Sequence, residues 1–598
     1  MDMRLVKALK RFCLITMCFF AAITGLKAQD FMVNIPNRSQ ISLNGKWECI
    51  IDPVDVGIKK WKSLYKDVPN NKDHRTEYAF ISSNTLNVPG DFNSQRPELK
   101  FYESTVWYKK VINVKKKKGK RLFLYFDAVN YVSDVFLNSE KLGSHEGGFT
   151  PFQFEITNKV KDGENAIIIR VNNRRQKEGV PALGYDWVNY GGITRDVRLV
   201  ETNETFIEDY FVQLKKGSGK RIEGYIQLNG SKLLQKISIK IPEAKINHTA
   251  TTDHKGNAKI SIDKKLELWS PSNPKLYRVI IQSETDSIEE HIGFRSISTN
   301  GTEIILNGQP IFLKGVNFHE EASERASRAY TKEDAKKHLN MAQELGCNFI
   351  RTAHYPQNEY VVRLAEEMGF MLWEEIPVFQ GISFGNKKTV TLANKQLTEM
   401  LRRDKNRCAV IIWSVSNETY PNHTRTSVLK SLVDSCRVID NTRLVSTALN
   451  KYEKKGNVFT IKDDLIEALD VIGMNQYLGW YNGWTVSPED IVWKSEYNKP
   501  LIISEFGAEA LYGHHGSNDD TSSWSEEFQE TFYRKQITMQ KNIPFLSGTC
   551  PWTLIDFRSP LRLHPIYQDY WNRKGLLSEQ GYRKKAWYVM KAYYDTIK

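Results

Sequence analysis

The second half of the chain alternates between short apolar runs and amphipathic segments, and this alternation restricts the possible folds more than any other feature. Eight runs have the length and apolar character of buried strands: 311–317, 347–353, 370–376, 409–415, 444–449, 471–477, 500–506 and 546–555. Helical periodicity is found between or after them, at 332–345, 358–367, 393–403, 426–438, 525–541 and 584–597. Eight such units in about 300 residues predict a (β/α)8 TIM barrel. A doubly wound sheet is the competing fold, but no glycine-rich phosphate turn follows the first run.

The residues before the barrel have a different pattern. Residues 29–205 contain short alternating runs such as "RLFLYFDAV" and "AIIIRVNN", separated by turn residues. This pattern predicts a β-sandwich. Residues 206–297 repeat it ("IEGYIQL", "YRVIIQ") over about the length of one immunoglobulin-sized sandwich. We therefore expect two β-sandwich domains in front of a barrel that occupies residues 298–598.

The first 28 residues have the features of a secretory signal peptide. Basic residues at positions 4, 7, 10 and 11 precede an apolar run from Cys13 to Ile23 and a small-residue site that ends at Ala28. The run is shorter than the roughly 20 residues that a membrane span needs. The sequence thus predicts a secreted or periplasmic protein that is not held in a membrane after cleavage.

Composition excludes several classes of ligand. The formal net charge of +14 is scattered along the chain, which argues against a nucleic-acid partner but suits an acidic substrate. Aromatic residues reach 12% of the chain, and stacking rings suit sugar recognition. The five cysteines beyond residue 28 are widely spaced without a CxxC pair, so neither a disulfide framework nor a zinc site is predicted. No compact cluster of His, Asp and Glu is seen, and we expect no metal and no cofactor.

Two glutamates stand at the ends of predicted barrel strands. Glu418, preceded by Asn417, follows the apolar run "VIIWSVS", and Glu505 ends the run "PLIISE". Active sites of such barrels lie at the carboxyl ends of the strands. Two carboxylates at one rim are what glycoside hydrolysis requires, one as proton donor and one at the anomeric carbon. The alternative is that both are surface salt-bridge partners.

Several motifs in the same order resemble glycoside hydrolase family 2, over almost the whole chain after residue 28. They are "LNGQPIFLKGVNFHEE" at the barrel entry, "NFIRTAHYP" (348–356), "IIWSVSNE", "IISEFG" and, in the first sandwich, "NYGGITRDVRL" (189–199). The resemblance implies a jelly-roll-like sugar-binding domain at 29–205, an immunoglobulin-like domain at 206–297 and a catalytic TIM barrel at 298–598.

The resemblance also implies roles for individual residues. Glu418 matches the acid/base and Glu505 the nucleophile of a retaining, double-displacement mechanism, in which the two carboxyl groups lie roughly 5 Å apart. Asn417 matches the residue that binds the sugar 2-hydroxyl, and Arg351 matches the arginine that keeps the nucleophile ionised. Four further residues match sugar-contacting positions, of which Tyr481 is placed at the nucleophile and Trp552 on the floor of the site: His319, His354, Tyr481 and Trp552.

The segment "WNRKGL" (571–576) indicates which sugar the site binds. Asn572 and Lys574 fit the Asn-x-Lys pattern that binds the C6 carboxylate of the sugar acid in the β-glucuronidases, the members of the family that this chain most resembles. A neutral sugar would leave such a lysine unpaired in the pocket, which is costly. The alternative is a solvated basic turn. Because neighbouring residues depart from the better-known β-glucuronidases, β-galacturonidase and β-galactosidase stay open.

The expected activity is therefore exo-acting release of terminal glucuronic acid. The segment 377–393 is short where related enzymes carry a long loop over the leaving-group side, which favours oligosaccharide or polysaccharide ends. A homo-oligomer is possible. The alternative from another class is a carbohydrate-binding protein with an inactive barrel, which the presence of both glutamates disfavours.

Overall fold

The computed structural model describes residues 31–59, 63–67, 80, 84–481 and 483–597. The predicted signal peptide, residues 1–28, lies outside the described residues, and it stays a prediction. Among the helices that are described, none is both long enough and apolar enough to cross a membrane.

The first sandwich packs two antiparallel sheets face to face. One sheet has the strand order Gln40–Ser42, Val197–Asn203, Lys120–Phe126, Phe152–Glu155. The other has the order Thr85–Val88, Gly45–Asp52, Thr105–Val114, Gly163–Asn172, Val132–Leu137, Glu140–Glu146. The alternation of apolar and polar residues sends Trp47, Leu124 and Ile169 into a shared core, where each is fully buried. A short helix, Phe92–Gln95, precedes the Thr105–Val114 strand.

The second sandwich is smaller. Its three-stranded sheet contains Phe206–Leu214, Arg221–Asn229 and Asn257–Asp263. Its four-stranded sheet has the order Ile246–Thr251, Lys236–Ile241, Tyr277–Gln282, Ser287–Ile292. The branched residues Ile226, Ile239 and Val279 meet in the core between the sheets. A three-stranded sheet (Ile297–Asn300, Glu303–Leu306, Gln309–Pro310) then leads into the barrel.

Eight parallel strands close into a barrel in chain order, so the predicted fold class is confirmed. Barrel strands 1 to 8 are Leu313–Asn317, Phe349–Thr352, Met371–Glu375, Val410–Asn417, Leu444–Leu449, Ile472–Asn475, Leu501–Glu505 and Leu546–Thr549. The helices of the barrel are Lys332–Leu345, Glu359–Met368, Lys387–Asp404, His423–Ile439, Glu526–Lys541 and Lys585–Thr596.

Local chemistry explains where these elements begin and end. Helix Lys332–Leu345 starts at a capping box, in which the Thr331 side chain accepts from the backbone N–H of Asp334. It ends at Gly346, whose positive φ of 91° suits glycine. Helix Lys387–Asp404 begins six residues earlier than the predicted 393 because the Asn386 side chain caps it.

Shorter elements decorate the barrel. Two small pairs of strands are Glu321–Ala322 with Ser327–Arg328, and Phe557–Arg558 with Trp571–Asn572. A three-stranded sheet has the order Tyr452–Lys455, Val458–Ile461, Val492–Ser495. Single 3₁₀ turns occur at Ile35–Asn37, Leu64–Lys66, Pro97–Leu99, Pro242–Ala244, Ser323–Arg325, Ile466–Ala468, Pro488–Asp490 and Thr521–Ser523.

A buried ion pair and a buried histidine–glutamate contact hold the first sandwich against the barrel. Arg195 of the sandwich donates to Glu320 at 3.0 Å, and both side chains are 1% exposed. His145 lies 3.2 Å from Glu399 on the helix Lys387–Asp404. Because an ion pair buried in this way is costly to break, the sandwich and the barrel are fixed relative to one another. This contact brings Asp186 of the sandwich to the mouth of the barrel.

Candidate active site

The two predicted catalytic glutamates lie in one cavity at the carboxyl end of the barrel. Glu418 follows barrel strand 4 with a φ of 53°, and Glu505 is the last residue of barrel strand 7. Both line a cavity of about 420 Å³. Asn475, at the end of barrel strand 6, pairs with Glu505 in the sheet register, and its amide donates to Glu418 at 2.9 Å. Asn475 is thus a neighbour of Glu505 in the sheet and contacts the carboxyl group of Glu418.

Glu505 is held by two donors. Nη1 of Arg351 donates to Oε1 at 2.6 Å, and the hydroxyl of Tyr477 donates to Oε2 at 2.7 Å. The carboxylate is 4% exposed. The guanidinium and the hydroxyl each contact a different carboxylate oxygen and so fix the orientation of Glu505, as a nucleophile requires.

Arg351 is the centre of a buried network. It is fully buried and donates to Glu375 through both Nε (3.1 Å) and Nη2 (2.8 Å), in addition to Glu505. Burial alone lowers the pKa of Arg351, but the carboxylates of Glu375 and Glu505 outweigh it and raise the pKa. Burial raises the pKa of the Glu375 carboxyl, but Arg351 and His354 outweigh this effect, so that the pKa is lowered. Arg351 and Glu375 are therefore held in their charged forms.

Glu418 has the opposite electrostatic environment. Its Oε2 accepts from the Gln380 amide at 3.0 Å and its Oε1 from Asn475, and both of these donors are neutral. Burial first, and then the negative charge of Glu505, raise the pKa of Glu418. The two amides oppose this rise but do not cancel it. The raised pKa favours the protonated form of Glu418, whereas the Glu505 carboxylate accepts a hydrogen bond from the Arg351 guanidinium, and this difference suits an acid and a nucleophile.

Asn417 is oriented towards the cavity with its amide nitrogen free. Its Oδ1 accepts from Arg351 at 2.7 Å and from Asn475 at 3.1 Å. Its Nδ2 is buried and has no hydrogen-bond partner among the described residues. A free amide donor next to Glu418 and Glu505 can bind a sugar hydroxyl.

The rings of the predicted histidines and tryptophan pack against one another, and His319 lies outside the cavity lining. His354 lies 2.7 Å from Glu375 through Nδ1, and its ring stacks on Trp552 with centroids 4.8 Å apart. Both line the cavity. His319 packs edge-on against Trp552 at 5.4 Å, and burial, followed by the nearby cations, lowers its pKa well below the usual value. His319 is therefore neutral, and its buried Nε2 has no partner within the described structure.

The placement of Tyr481 at the nucleophile needs correction. The hydroxyl that contacts Glu505 belongs to Tyr477, which the sequence analysis did not single out. Tyr481 is 58% exposed and lines the outer part of the same cavity. Tyr477 follows barrel strand 6 by two residues, so its position at the end of that strand was the available signal.

Lys574 lines the cavity, but it is not an unpaired charge. Its ammonium donates to Glu509 at 2.9 Å, and both side chains are 1% exposed. This burial rules out the solvated turn. It also corrects the expectation that a neutral sugar would leave Lys574 without a partner. Asn572 is not on the cavity wall: its Nδ2 contacts Asp186 at 3.4 Å and its Oδ1 accepts from the backbone N–H of Lys574.

A second cation of the cavity was missed from the sequence. Arg562, in the segment after barrel strand 8, is paired with Asp186 of the first sandwich and lies 3.4 Å from Glu509. Arg562, Asp186 and Lys574 all line the cavity. These two cations pair with Asp186 on the cavity wall and with the buried Glu509 beside it, and their positions follow from contacts between segments distant in sequence. Over the part of the chain that is described, no three potential ligands cluster as a metal site would require.

Comparison with known proteins places this geometry in a family. Residues 297–598 match the model described as "Glycosyl hydrolases family 2, TIM barrel domain". Residues 41–203 match its sugar binding domain, and residues 205–295 match the model "Glycosyl hydrolases family 2".

Similar proteins are β-glucuronidases. A β-glucuronidase of Bacteroides fragilis is 30% identical over 81% of this chain and 74% of its own length. The β-glucuronidase of Rattus norvegicus is 28% identical over 95% of this chain and 92% of its own length. The structure of a β-glucuronidase from an uncultured Clostridium sp. matches with a TM-score of 0.81 at 24% identity, covering 95% of this chain and 99% of that one. That structural likeness shows the fold, and the family models show the membership: this chain belongs to glycosyl hydrolases family 2 and is a glycoside hydrolase.

Proposed function

We propose that the chain is a retaining, exo-acting β-glucuronidase that removes terminal glucuronic acid from oligosaccharides or polysaccharides. The observation that carries the proposal is the pair of cations, Lys574 and Arg562, on the wall of the cavity that holds Glu418 and Glu505. A sugar carboxylate is the group that an ammonium and a guanidinium bind through charge-assisted hydrogen bonds. The relatives named β-glucuronidase support the same choice.

The mechanism follows from the environments of the two glutamates. Ionised Glu505 attacks the anomeric carbon while Glu418 gives its proton to the glycosidic oxygen, and the leaving sugar departs as an alcohol. Glu418, now ionised, takes a proton from water, and the resulting hydroxide oxygen displaces Glu505 from the sugar. Two inversions give net retention. Asn417 holds the sugar through its free Nδ2, and Tyr477 fixes the orientation of Glu505.

Glu509 changes how acid selectivity is achieved. Burial alone raises the pKa of Glu509, but Lys574 and Arg562 outweigh it and lower the pKa, so Glu509 is ionised. The arriving sugar carboxylate shares Lys574 with Glu509. Because Lys574 is paired with Glu509, a neutral sugar does not leave a buried charge without a partner. Selectivity for a sugar acid then comes from the contacts that its carboxylate adds. β-Galacturonidase and β-galactosidase are the alternative activities, which kinetic measurements on the three substrates separate.

Initial rates on aryl β-D-glucuronide, β-D-galacturonide and β-D-galactoside test the proposal. We expect the glucuronide to be fastest, and Lys574→Ala to lower its kcat/KM relative to the galactoside by about 10- to 100-fold, the value of a hydrogen bond to a charged group. Lys585→Ala is the matched control, since Lys585 pairs with Glu527 away from the cavity. The acid-sugar site would be rejected if the galactoside were hydrolysed fastest and Lys574→Ala lowered kcat/KM equally on all three substrates.

The same proposal includes export. The basic residues and apolar run of residues 1–28 support a secreted or periplasmic location. Edman sequencing of the protein recovered from the periplasm or medium should begin at Gln29, and an intact N-terminus on cytoplasmic protein would contradict export.

A further inference from the structure

The cations of the cavity fall into two groups that differ in their partners. Lys574 is paired with Glu509, and Arg562 is paired with Asp186. Lys451 also lines the cavity, and in the described parts of the chain its ammonium has no carboxylate partner. Its Nζ lies 6.0 Å from the centroid of the Tyr420 ring. The uncompensated positive charge of the cavity is therefore at Lys451.

Lys451 lies on the side of the acid/base. The backbone N–H of Glu418 donates to the carbonyl of Ala448 in barrel strand 5 at 2.8 Å, and Lys451 follows Ala448 by only three residues. Tyr420 comes two residues after Glu418. Since Glu418 protonates the glycosidic oxygen, the space next to it on the outer side receives the sugar that leaves.

The opposite wall holds the other cations. Tyr477 donates to Glu505, and the Lys574 ammonium lies 6.0 Å from the Tyr477 ring centroid and 5.1 Å from that of Tyr481. This wall belongs to the nucleophile and therefore to the sugar that is attacked. Lys451 is thus near the acid/base in the structure, and Lys574 is near the tyrosine that contacts the nucleophile.

A rigid element supports the Lys451 side. Tyr452 also lines the cavity and begins a strand of the three-stranded sheet that follows barrel strand 5. Its ring packs against Phe459 and Trp493, with centroids 5.2 and 5.3 Å away. A fixed aromatic ring beside a free ammonium offers a sugar face a stacking surface and an anionic substituent a partner.

From this arrangement we infer a leaving-group subsite for an anionic sugar, in which Lys451 binds a carboxylate or a sulfate ester and Tyr452 and Tyr420 flank the sugar ring. The inference rests on the proposed function and adds to it the class of substrate: a glucuronide whose second residue is itself acidic. The connection before helix Lys387–Asp404 carries Gln380, which lines the cavity and donates to Glu418.

The test uses three β-glucuronosyl disaccharides, with a leaving sugar that is neutral, sulfated or carboxylated. The wild-type enzyme should show a higher kcat/KM on at least one anionic disaccharide than on the neutral one. Lys451→Gln should lower this anionic-to-neutral ratio by about fivefold at low salt, the scale of one exposed charge pair. Lys451→Glu should lower it further. The preferred anion, sulfate or carboxylate, identifies the substituent that the subsite takes.

A matched control and a salt series complete the experiment. Lys454→Gln removes a nearby charge that is not on the cavity wall and that donates to Thr485, and it should leave the ratio unchanged. Added sodium chloride should lower the ratio in the wild type but not in Lys451→Gln. Equal rates of the wild type on all three disaccharides, or an unchanged ratio in Lys451→Gln, would overturn the inference. An enzyme inactive on aryl β-glucuronide would instead refute the proposed function.

Discussion

Replacing Glu418 with glutamine removes the acidic proton that this residue supplies but keeps the size and shape of the side chain. In the structure Oε1 and Oε2 each accept one amide hydrogen bond, from Asn475 and Gln380. A glutamine turns one of these acceptors into a donor, so one neutral hydrogen bond is lost at a cost of about 1 kcal/mol. The loss of the general acid is larger, because proton transfer of this kind contributes about 10²- to 10⁴-fold.

The size of the effect should depend on the leaving group. A glucuronide of an alkyl alcohol or a sugar needs the proton, so Glu418→Gln should lower its kcat/KM by about 10³-fold. A glucuronide of a strongly acidic phenol leaves without a proton and should lose far less in the step that forms the glycosyl-enzyme. Azide, which needs no general base, should then restore turnover of the phenol substrate.

The pH profile gives a second, independent check. Burial and then the charge of Glu505 raise the pKa of Glu418, and the residue is active only when protonated. The rate of the wild type on an unactivated glycoside therefore falls as pH rises through this raised pKa, and below it the acid is fully available. In Glu418→Gln this alkaline limb should disappear. Equal losses on both classes of leaving group, or a preserved alkaline limb, would refute the assignment of Glu418 as the acid.

Two further substitutions probe orientation and stability. Tyr477→Phe removes the hydroxyl that donates to Glu505 and should lower kcat by about 10-fold or more, whereas Tyr481→Phe, whose hydroxyl does not contact Glu505, should lower kcat much less in the same assay. Asp334→Asn should lower the thermal midpoint, because burial raises the Asp334 pKa but the Arg325 hydrogen bond outweighs it and lowers the pKa from 3.8 to about 2. A depressed carboxyl pKa stabilises the fold above the unfolded pKa, so the difference in midpoint should be full above about pH 5 and vanish only below about pH 2, and a difference independent of pH would contradict this explanation.

The barrel could be predicted because each strand is encoded locally. Barrel strands 4 and 7 are continuous apolar runs that are buried along their whole length, and Glu418 and Glu505 stand where these runs end. The end of barrel strand 8 was predicted less accurately. The strand stops at Thr549 and not at 555, because Pro551 lacks the N–H that a strand would use.

The partners of the catalytic residues could not be predicted in the same way. Gln380 and Asn475 reach Glu418 from barrel elements 38 and 57 residues away, and no periodicity marks them. The pairing of Lys574 with Glu509, 65 residues apart, likewise depends on how the loops after barrel strands 7 and 8 meet. A motif indicated that Lys574 faces the sugar, but only the structure shows that Glu509 already pairs with its ammonium group.

Covalent labelling tests the central claim most directly. The wild-type enzyme would be incubated with 2-deoxy-2-fluoro-β-D-glucuronyl fluoride, whose fluorine slows hydrolysis of the glycosyl-enzyme, and its peptides would be analysed by mass spectrometry. The account predicts one added 2-fluoroglucuronyl group on the peptide that contains Glu505, and much slower labelling by the matching galactosyl reagent. Labelling at Glu418, or faster labelling by the galactosyl reagent, would contradict it.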